Sequence, residues 1–230
     1  MQRKIITTAD GSKTIQIEEW NEQYHSVHGA IQEANHVYIK HGLLFFNSQS
    51  NCHFGLDSKS DTISILEIGF GTGLNAMLTL LISEQFNLHL DYCGVEAYPV
   101  SVEELQQLNY TEALQVTNNS FEKLHTSDWE TSHEITENFR LTKQQKFFNE
   151  IDDVNCYDVI YFDAFGARVQ PELWTEELFS KMYTALRVNG VLVTYACKGS
   201  AKRALRAVGF VIQRLEGPPG KRHMLRAIKR

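Results

Sequence analysis

The sequence predicts an α/β fold with a doubly wound, mostly parallel sheet that ends in an antiparallel C-terminal hairpin. From residue 61 onward, short apolar runs alternate with helical patterns, which is typical of a parallel sheet covered by helices on both faces. A glycine-rich turn joins the first of these runs to a helix. The last two predicted strands are separated only by the turn 217–220, which is too short for a parallel crossover.

The glycine-rich stretch 65–75 reads ILEIGFGTGLN, with alternating glycines at Gly69, Gly71 and Gly73. Glycine lacks a Cβ atom, so the backbone turns sharply there and can approach a ligand closely. The helix that follows presents free N–H groups to a polar or anionic ligand. Glu96 ends the next predicted strand, about 20 residues past the glycines, where an acidic residue usually binds ribose hydroxyls.

Two cofactor classes and one structural alternative fit this pattern. The dinucleotide motif G-x-G-x-x-G/A is satisfied loosely by 71–76. Enzymes that use S-adenosylmethionine carry an acid two residues before an alternating G-x-G-x-G, and Glu67 with 69–73 matches that form more closely. The structural alternative is a tight strand–helix turn that binds nothing.

The composition is that of a soluble globular protein, because 43% of the 230 residues are hydrophobic and 22% are charged. The four cysteines are widely spaced without a C-x-x-C pair, which favours a reducing compartment. The first ten residues have no apolar signal core, and no apolar run approaches membrane length. These features predict a cytoplasmic protein that does not enter a membrane.

The charge distribution is uneven. The net charge is −6, but residues 198–230 contain ten Lys/Arg and one acid, so this segment carries +9 and residues 1–197 carry −15. A local basic face can bind a polyanion even on an acidic protein, because phosphate contacts are local. A solvated basic helix and strand would give the same pattern, so both interpretations remain open.

We predict two parts of the chain, an N-terminal extension at 1–60 and a main domain at 61–230. In the extension, Asp10-Gly11 between alternating segments predicts a hairpin of Arg3–Thr7 and Lys13–Ile17. A helix with helical spacing from Ala30 to Tyr38 is expected to stop at Gly42, and 47–60 is a polar linker. Five histidines lie between residues 25 and 53 without zinc-ligand spacing, so no metal site is predicted.

The main domain is predicted element by element from apolar periodicity and from the positions of proline and glycine. The expected strands are 61–68, 88–95, 139–142, 157–162, 191–196, 209–212 and 223–228. The expected helices are 74–85, one opened by Pro99, 121–124, 146–151, one from Pro171 to a stop at Asn189-Gly190, and 200–208.

Several motifs together resemble one family, the MnmC-like methyltransferases. They are Tyr24-His25-Ser26, the run from Glu67 to Asn75, Asp163-Ala164-Phe165, Trp174-Thr175 and the closing segments 207–210 and 217–224. The resemblance covers almost the whole chain and implies a Rossmann-like methyltransferase sheet. It implies S-adenosyl-L-methionine as cofactor and tRNA as partner, with formation of 5-methylaminomethyl(-2-thio)uridine at the wobble position. Bifunctional members carry a further FAD-dependent oxidase domain, and this chain resembles the form without it, so no flavin is expected.

The resemblance also implies roles for individual residues. Asp163 would orient the substrate ammonium and accept or relay its proton, although an Asp at such a place can also simply cap a turn. Residues expected to bind the cofactor are Glu67, Gly69, Phe70, Gly71, Gly73, Asn75 and Glu96. Residues expected to contact the base or the tRNA phosphates are Tyr24, His25, Phe165, Trp174, Lys198, Lys202, Arg203, Lys221 and Arg222. Tyr24 and His25 could equally be structural, and Phe165 and Trp174, taken singly, are of a type that more often belongs to the core. Near the adenine, where family members often have an acid, this chain has Gln144.

Three other functions remain open at this point. A nicotinamide-dependent oxidoreductase would use the loose dinucleotide motif but has no evident hydride-site residues. A small-molecule amine methyltransferase would act without RNA. A non-catalytic tRNA-binding module on the same fold would retain its properties after replacement of Asp163.

Overall fold

The computed structural model describes residues 2–50 and 62–230. It contains a small N-terminal sheet, a helical segment and an eight-stranded sheet with helices on both faces. The strands are β1 Arg3–Thr7, β2 Lys13–Ile17, β3 Glu22–Gln23, β4 Ile63–Ile68, β5 Leu90–Val95, β6 Ser132–Thr136, β7 Phe139–Gln144, β8 Tyr157–Phe162, β9 Leu186–Thr194, β10 Val211–Glu216 and β11 His223–Ile228.

The helices are α1 Ala30–Ala34, α2 Leu44–Ser50, α3 Leu74–Phe86, α4 Val102–Leu105, α5 Tyr110–Ala113, α6 Asn118–Thr126, α7 Glu176–Ala185 and α8 Gly199–Ala207. A π helix, Asn35–Leu43, joins α1 to α2 without interruption, and short 3-10 turns occupy Phe148–Glu150 and Pro171–Trp174. None of the helices described is long and apolar enough to cross a membrane.

The large sheet has the strand order β10-β11-β9-β8-β4-β5-β7-β6. Strands β9, β8, β4, β5 and β7 run parallel, whereas β11 lies antiparallel between β9 and β10. This arrangement confirms the predicted α/β fold and its antiparallel closing hairpin. The β1–β2 hairpin is also confirmed, with Arg3 opposite Ile17 and Thr7 opposite Lys13.

Apolar side chains form a core on each face of the large sheet. One core joins the N-terminal helical segment and α3 to strand residues such as Ile65 and Tyr161. The other joins α7 and α8 to residues such as Leu66 and Phe162. Adjacent residues of β4 and β8 therefore serve opposite faces, as expected for strands covered on both sides. The domain boundary predicted at residues 60 and 61, and most of the predicted linker, lie outside the described residues.

The N-terminal helical run corrects one prediction. It does not stop at Gly42 but continues as a π helix into α2. A Cβ atom at Gly42 would lie 3.0 Å from Val193 Cγ2 and 3.1 Å from Tyr161 Cε1. Glycine is therefore present because the helix packs closely on the sheet, and tertiary contact overrides its tendency to end helices.

Other differences concern the ends of elements. The helix near Pro99 begins only at Val102, because Ser101 forms a capping box with Glu104. The helix after Pro171 ends at Ala185, and Asn189 and Gly190 lie within β9, where the register with β8 shifts. Residues 146–151 contain only a 3-10 turn, and the polar edge strand β6 was not predicted.

Candidate active site

A cavity of about 1280 Å³ opens at the carboxyl edge of the large sheet, where ligands bind in open α/β folds. One wall comes from the glycine loop between β4 and α3 and from the residues after β5. The opposite wall comes from Asp163, Ala164 and Phe165 after β8. Trp20 and Tyr24 of the N-terminal segment cover part of the cavity, so both predicted parts of the chain build it.

The glycine loop lies directly against the residue expected to be catalytic. Gly69 has φ +92°, and a Cβ atom there would be 2.9 Å from the backbone oxygen of Asp163. At Gly73, which caps α3 in the left-handed conformation, a Cβ atom would be 2.8 Å from Cε1 of His125. These positions need glycine for close packing as well as for backbone conformation.

Glu96 is held at the end of β5 by two backbone N–H groups. The amide of Gly71 donates to Oε2 at 3.1 Å, and the amide of Tyr98 donates to Oε1 at 3.0 Å. Each carboxylate oxygen keeps a further lone pair, and the side chain lines the cavity. Burial raises the pKa of Glu96, and these backbone hydrogen bonds oppose that shift. The carboxylate is therefore placed to accept hydrogen bonds from a pair of hydroxyl groups.

Asp163 is anchored through both of its carboxylate oxygens. The Tyr38 hydroxyl donates to Oδ1 at 2.5 Å, and the amide nitrogen of Asn75 donates to Oδ2 at 2.8 Å. Burial raises the pKa of Asp163 to about 7, and the hydrogen bond from Tyr38 acts in the opposite direction. The cavity therefore contains an oriented carboxyl group that changes its charge near neutral pH.

Asn75 links Asp163 to a second buried carboxyl group. Its Nδ2 atom also donates to Oε1 of Glu67 at 2.8 Å, and the hydroxyl of Tyr92 donates to Oε2 of Glu67 at 2.8 Å. Glu67 is fully buried and is not among the described residues that line the cavity. Burial raises its pKa well above the usual range. Glu67 thus orients Asn75 from behind the glycine loop.

The side-chain carbonyl oxygen of Asn75, Oδ1, is buried and has no hydrogen-bond partner in the described part of the chain. Asn75 lines the cavity, and both amide hydrogens are directed toward the carboxylates of Glu67 and Asp163. Because an unpaired buried acceptor is costly, this oxygen is suited to receive a hydrogen bond from a ligand.

An aromatic wall adjoins Asp163. The ring of Phe165 meets Tyr24 edge to face with centroids 5.0 Å apart, and it meets Trp20 in the same way at 5.5 Å. Trp174 lies behind this wall in the core, and its indole N–H donates to the Phe165 carbonyl at 2.8 Å. Trp20 was not predicted as a site residue from the sequence. Its position just before the Tyr-His-Ser motif was the available signal.

Arg168 fastens the N-terminal segment to the loop after β8. Its guanidinium donates to the carbonyl of Trp20 at 2.8 Å and to Oε2 of Glu22 at 2.9 Å. These contacts hold Trp20 close to Phe165. They also explain why an arginine is accommodated in the loop that follows Asp163.

His25 lies in a buried position at the cavity wall. Its Nδ1 atom is 2.9 Å from the hydroxyl of Thr14, and burial lowers its pKa to about 4. The imidazole is therefore neutral at physiological pH. Its predicted contact with a base stays a prediction.

The predicted tRNA-binding cations lie near the carboxyl edge. Lys198, Lys202 and Arg203 follow β9 at the start of α8, and Lys221 and Arg222 lie in the turn before β11, which is antiparallel to β9. Lys221 differs from the others because it is paired with Glu33 and its Nζ lies 3.8 Å from the ring centroid of Tyr195. Its charge is therefore already compensated within the protein.

The far end of the cavity has an exposed aromatic pair. Tyr98 and Phe147 are 63% and 54% exposed, with ring centroids 6.0 Å apart. Gln144 ends β7 near this point and accepts a backbone hydrogen bond from Glu96 at 3.0 Å. Its side-chain oxygen is buried without a partner among the described residues. The role of Gln144 at an adenine stays a prediction.

Comparison with known proteins decides the family. Residues 98–230 match a family model described as S-adenosyl-L-methionine-dependent methyltransferase. The chain belongs to this methyltransferase family. The cofactor is therefore S-adenosyl-L-methionine, and the match removes the support for a nicotinamide-dependent oxidoreductase. The resemblance to MnmC-like methyltransferases is also confirmed.

The methyltransferase is similar to curated proteins named tRNA 5-methylaminomethyl-2-thiouridine biosynthesis bifunctional protein MnmC. The protein from Aeromonas hydrophila is 26% identical over 226 residues, which is 90% of this chain and 32% of that protein. The protein from Idiomarina loihiensis is 26% identical over 216 residues, which is 88% of this chain and 34% of that protein. The chain thus spans about a third of the length of these relatives.

A solved structure supports the fold of the methyltransferase. The crystal structure of MnmC2 from Aquifex aeolicus aligns with a TM-score of 0.76 and 22% identity, covering 100% of this chain and 70% of that chain. At this identity the match shows the fold.

The cavity fits S-adenosyl-L-methionine. Gly69, Gly71 and Asn75 line the cavity beside Glu96, whose carboxylate would accept hydrogen bonds from the ribose hydroxyls. The unpaired Oδ1 atom of Asn75 is placed for a donor such as the cofactor's ammonium group. Within 2–50 and 62–230, no group of three or more His, Cys, Asp or Glu residues could hold a metal ion.

Proposed function

We propose that this methyltransferase acts on tRNA and methylates the exocyclic amine of 5-aminomethyl(-2-thio)uridine at the wobble position. The product is 5-methylaminomethyl(-2-thio)uridine. The names of the relatives support this substrate, since they describe biosynthesis of that tRNA nucleoside. The observation that carries the proposal is the placement of Asp163, a buried carboxyl group anchored on both oxygens beside the cofactor loop.

Asp163 handles the charge and the proton of the substrate amine. An alkyl amine of this kind is largely protonated at neutral pH, as lysine is with a pKa of about 10.4. The ionised carboxylate orients the ammonium group and accepts one proton from it, so the nitrogen gains a free electron pair. The raised pKa of Asp163, about 7, brings it closer to that of the amine and favours this transfer.

The bound cofactor supplies an electrophilic methyl group on its sulfonium sulfur. Transfer would form the nitrogen–carbon bond and break the sulfur–carbon bond, so the product amine would become a secondary ammonium. Asp163 then releases its proton to solvent. Fixing both partners in one cavity supplies much of the rate enhancement, because reactive alignment is already present in the bound complex.

The aromatic wall is suited to receive the uracil ring. Phe165, Trp20 and Tyr24 offer flat surfaces beside Asp163, and nucleobases that are displaced from a stack bind on such surfaces. A base stacked there would carry its 5-aminomethyl group toward the carboxylate. Lys198, Lys202, Arg203 and Arg222 near the same edge would contact the tRNA backbone.

The direct test is methyl transfer to tRNA from cells that lack this protein, followed by nucleoside analysis. We expect conversion of the 5-aminomethyl nucleoside to its methylamino form. Asp163→Asn should slow the reaction about 10² to 10⁴-fold while cofactor affinity changes little, because general-base catalysis is lost. Asp152→Asn is the matched control. Asp152 is exposed and precedes β8, the strand that Asp163 follows, so this variant should remain active.

The proposal would be wrong if the cofactor bound but tRNA gained no methyl group. Transfer to free amines under those conditions would identify a small-molecule methyltransferase. Cofactor binding without any methyl transfer would identify a non-catalytic module.

A further inference from the structure

The N-terminal segment contributes a phenol to the active site. Tyr38 belongs to the π helix and is almost completely buried. Its hydroxyl donates to Oδ1 of Asp163 across 125 positions of the chain, at 2.5 Å. π-Helical turns are rare and occur frequently at functional sites, because the wider turn repositions side chains.

We propose that Tyr38 is a positioning residue for methyl transfer, which holds the carboxylate of Asp163 in the orientation that receives the substrate amine. This inference rests on the proposed role of Asp163 as the proton acceptor. Asn75 holds Oδ2, and Tyr38 holds Oδ1, so the plane of the carboxylate is fixed. Each oxygen keeps lone-pair capacity for a group in the cavity.

The contact also affects how readily Asp163 carries charge. Burial raises the pKa of Asp163, whereas hydrogen bonds donated by Tyr38 and Asn75 lower it. Loss of the Tyr38 hydroxyl would leave the ionised carboxylate with one anchoring donor in place of two. The carboxylate could then rotate, and its ionised form would be less stable.

Other charged and titratable groups face Asp163 from the surrounding elements. Glu33 raises its pKa, and Lys221 lowers it. Because these two are paired with each other, their effects partly cancel. Glu67 on β4, which is linked through Asn75, Tyr92 on β5 and Tyr195 after β9 also act on Asp163 electrostatically. Tyr38 differs from these groups because it donates a hydrogen bond directly to Asp163.

Tyr161 provides a matched control. Its ring packs on that of Tyr38 with centroids 5.2 Å apart, and it is equally buried. Its hydroxyl lies 3.4 Å from that of Thr79 instead of contacting Asp163. Tyr38→Phe and Tyr161→Phe therefore remove the same atom from neighbouring rings, and only the first removes a donor to Asp163.

The experiment combines pH–rate profiles with a titration of the free enzyme. Activity requires ionised Asp163, so the wild-type rate should rise with pH through about 7. In Tyr38→Phe this limb should move to higher pH by about one unit, and kcat at pH 7 should fall about fivefold. Carboxyl carbon NMR of labelled aspartate should show the same shift without substrate. Tyr161→Phe should titrate like the wild type.

A second variant keeps the test open if Tyr38→Phe does not fold. Replacement of Tyr38 by 3-fluorotyrosine makes the phenol a stronger donor with little change in volume. It should move the limb and the NMR titration to lower pH. Unchanged titration of Asp163 in the variant that folds would overturn the role of Tyr38. Full activity of Asp163→Asn would instead overturn the proposed function, while the NMR titration still reports on the Tyr38 contact.

Discussion

Lys221, in the turn between β10 and β11, forms an ion pair with Glu33 of α1, which is 188 positions earlier in the chain. Glu33 is buried and also accepts a hydrogen bond from the amide of Ser26 at 2.8 Å. The pair joins the N-terminal helical segment to the closing hairpin beside the cavity.

The first prediction concerns the stability of this pair. Lys221→Met should lower the unfolding free energy by about 2–4 kcal/mol, because it leaves the buried carboxylate of Glu33 uncompensated. Glu33→Gln should cost less, since the Lys221 side chain is 31% exposed and water can solvate it. The double variant should recover part of the loss, which denaturant unfolding would measure. Additive losses would show that the two residues are not coupled.

A second prediction concerns how Asp163 makes the stability of the protein depend on pH. Its pKa in the folded state, about 7, is above the ordinary value of 3.8, so the folded state binds more protons between these values. The wild type therefore loses stability as pH rises through this window. The asparagine in Asp163→Asn does not titrate, so the variant lacks this pH dependence. The unfolding free energy of Asp163→Asn minus that of the wild type should therefore increase by roughly 2 kcal/mol from pH 5 to pH 8. A difference that does not vary with pH would contradict the raised pKa.

A third prediction tests the glycine loop. Gly73→Ala should weaken cofactor binding about tenfold to a hundredfold, because it combines backbone strain with a clash against His125. Gly11→Ala is the control, since Gly11 also has positive φ but a Cβ atom there meets nothing within 4 Å in the described structure. It should reduce stability by about 1–2 kcal/mol without affecting cofactor affinity. Isothermal titration and thermal unfolding distinguish the two effects, and equal losses of affinity would argue against crowding in the loop.

A fourth prediction addresses the proposed tRNA-binding surface. Arg203→Gln and Arg222→Gln should each weaken tRNA binding and reduce the slope of log affinity against log salt by about 0.7–0.9, as expected for one lost phosphate contact. Arg140→Gln is the control, because Arg140 is exposed on β7, outside the basic segment. Affinity measured over a salt series provides the slope. An equal effect of all three variants would indicate attraction by overall charge and not by a specific surface.

Much of the fold follows from local patterns. The strand Tyr157–Phe162 was predicted because burial on both faces gives a continuous apolar run. The helix containing Leu178 and Met182 was predicted because burial on one face places apolar residues at helical spacing. The edge strand β6 was missed, since Ser132–Thr136 is polar and is identified only by its pairing with β7. The predicted helix end at Gly42 was wrong, because this glycine allows close packing on the sheet and does not end the helix.

The residues that line the cavity were predicted in part, for the same kind of reason. The cofactor loop and the acids at strand ends have short-range signatures, since one turn of chain must provide both the backbone shape and the ligand contacts. Tyr38 and Trp20 have no such signature. Tyr38 reaches Asp163, and Trp20 reaches the cavity, only because the N-terminal segment packs against the sheet.

The sequence by itself therefore determined the α/β class, the antiparallel closure, the glycine loop and Asp163, because these depend on local periodicity and on residue types in consecutive positions. Only the tertiary structure decided that Glu67 lies behind the loop, that Lys221 pairs with Glu33, and that Tyr38 and Asn75 together hold Asp163. The physical reason is that hydrogen bonds and ion pairs between distant segments depend on how the helices and strands pack. The local sequence does not encode which distant segments come into contact.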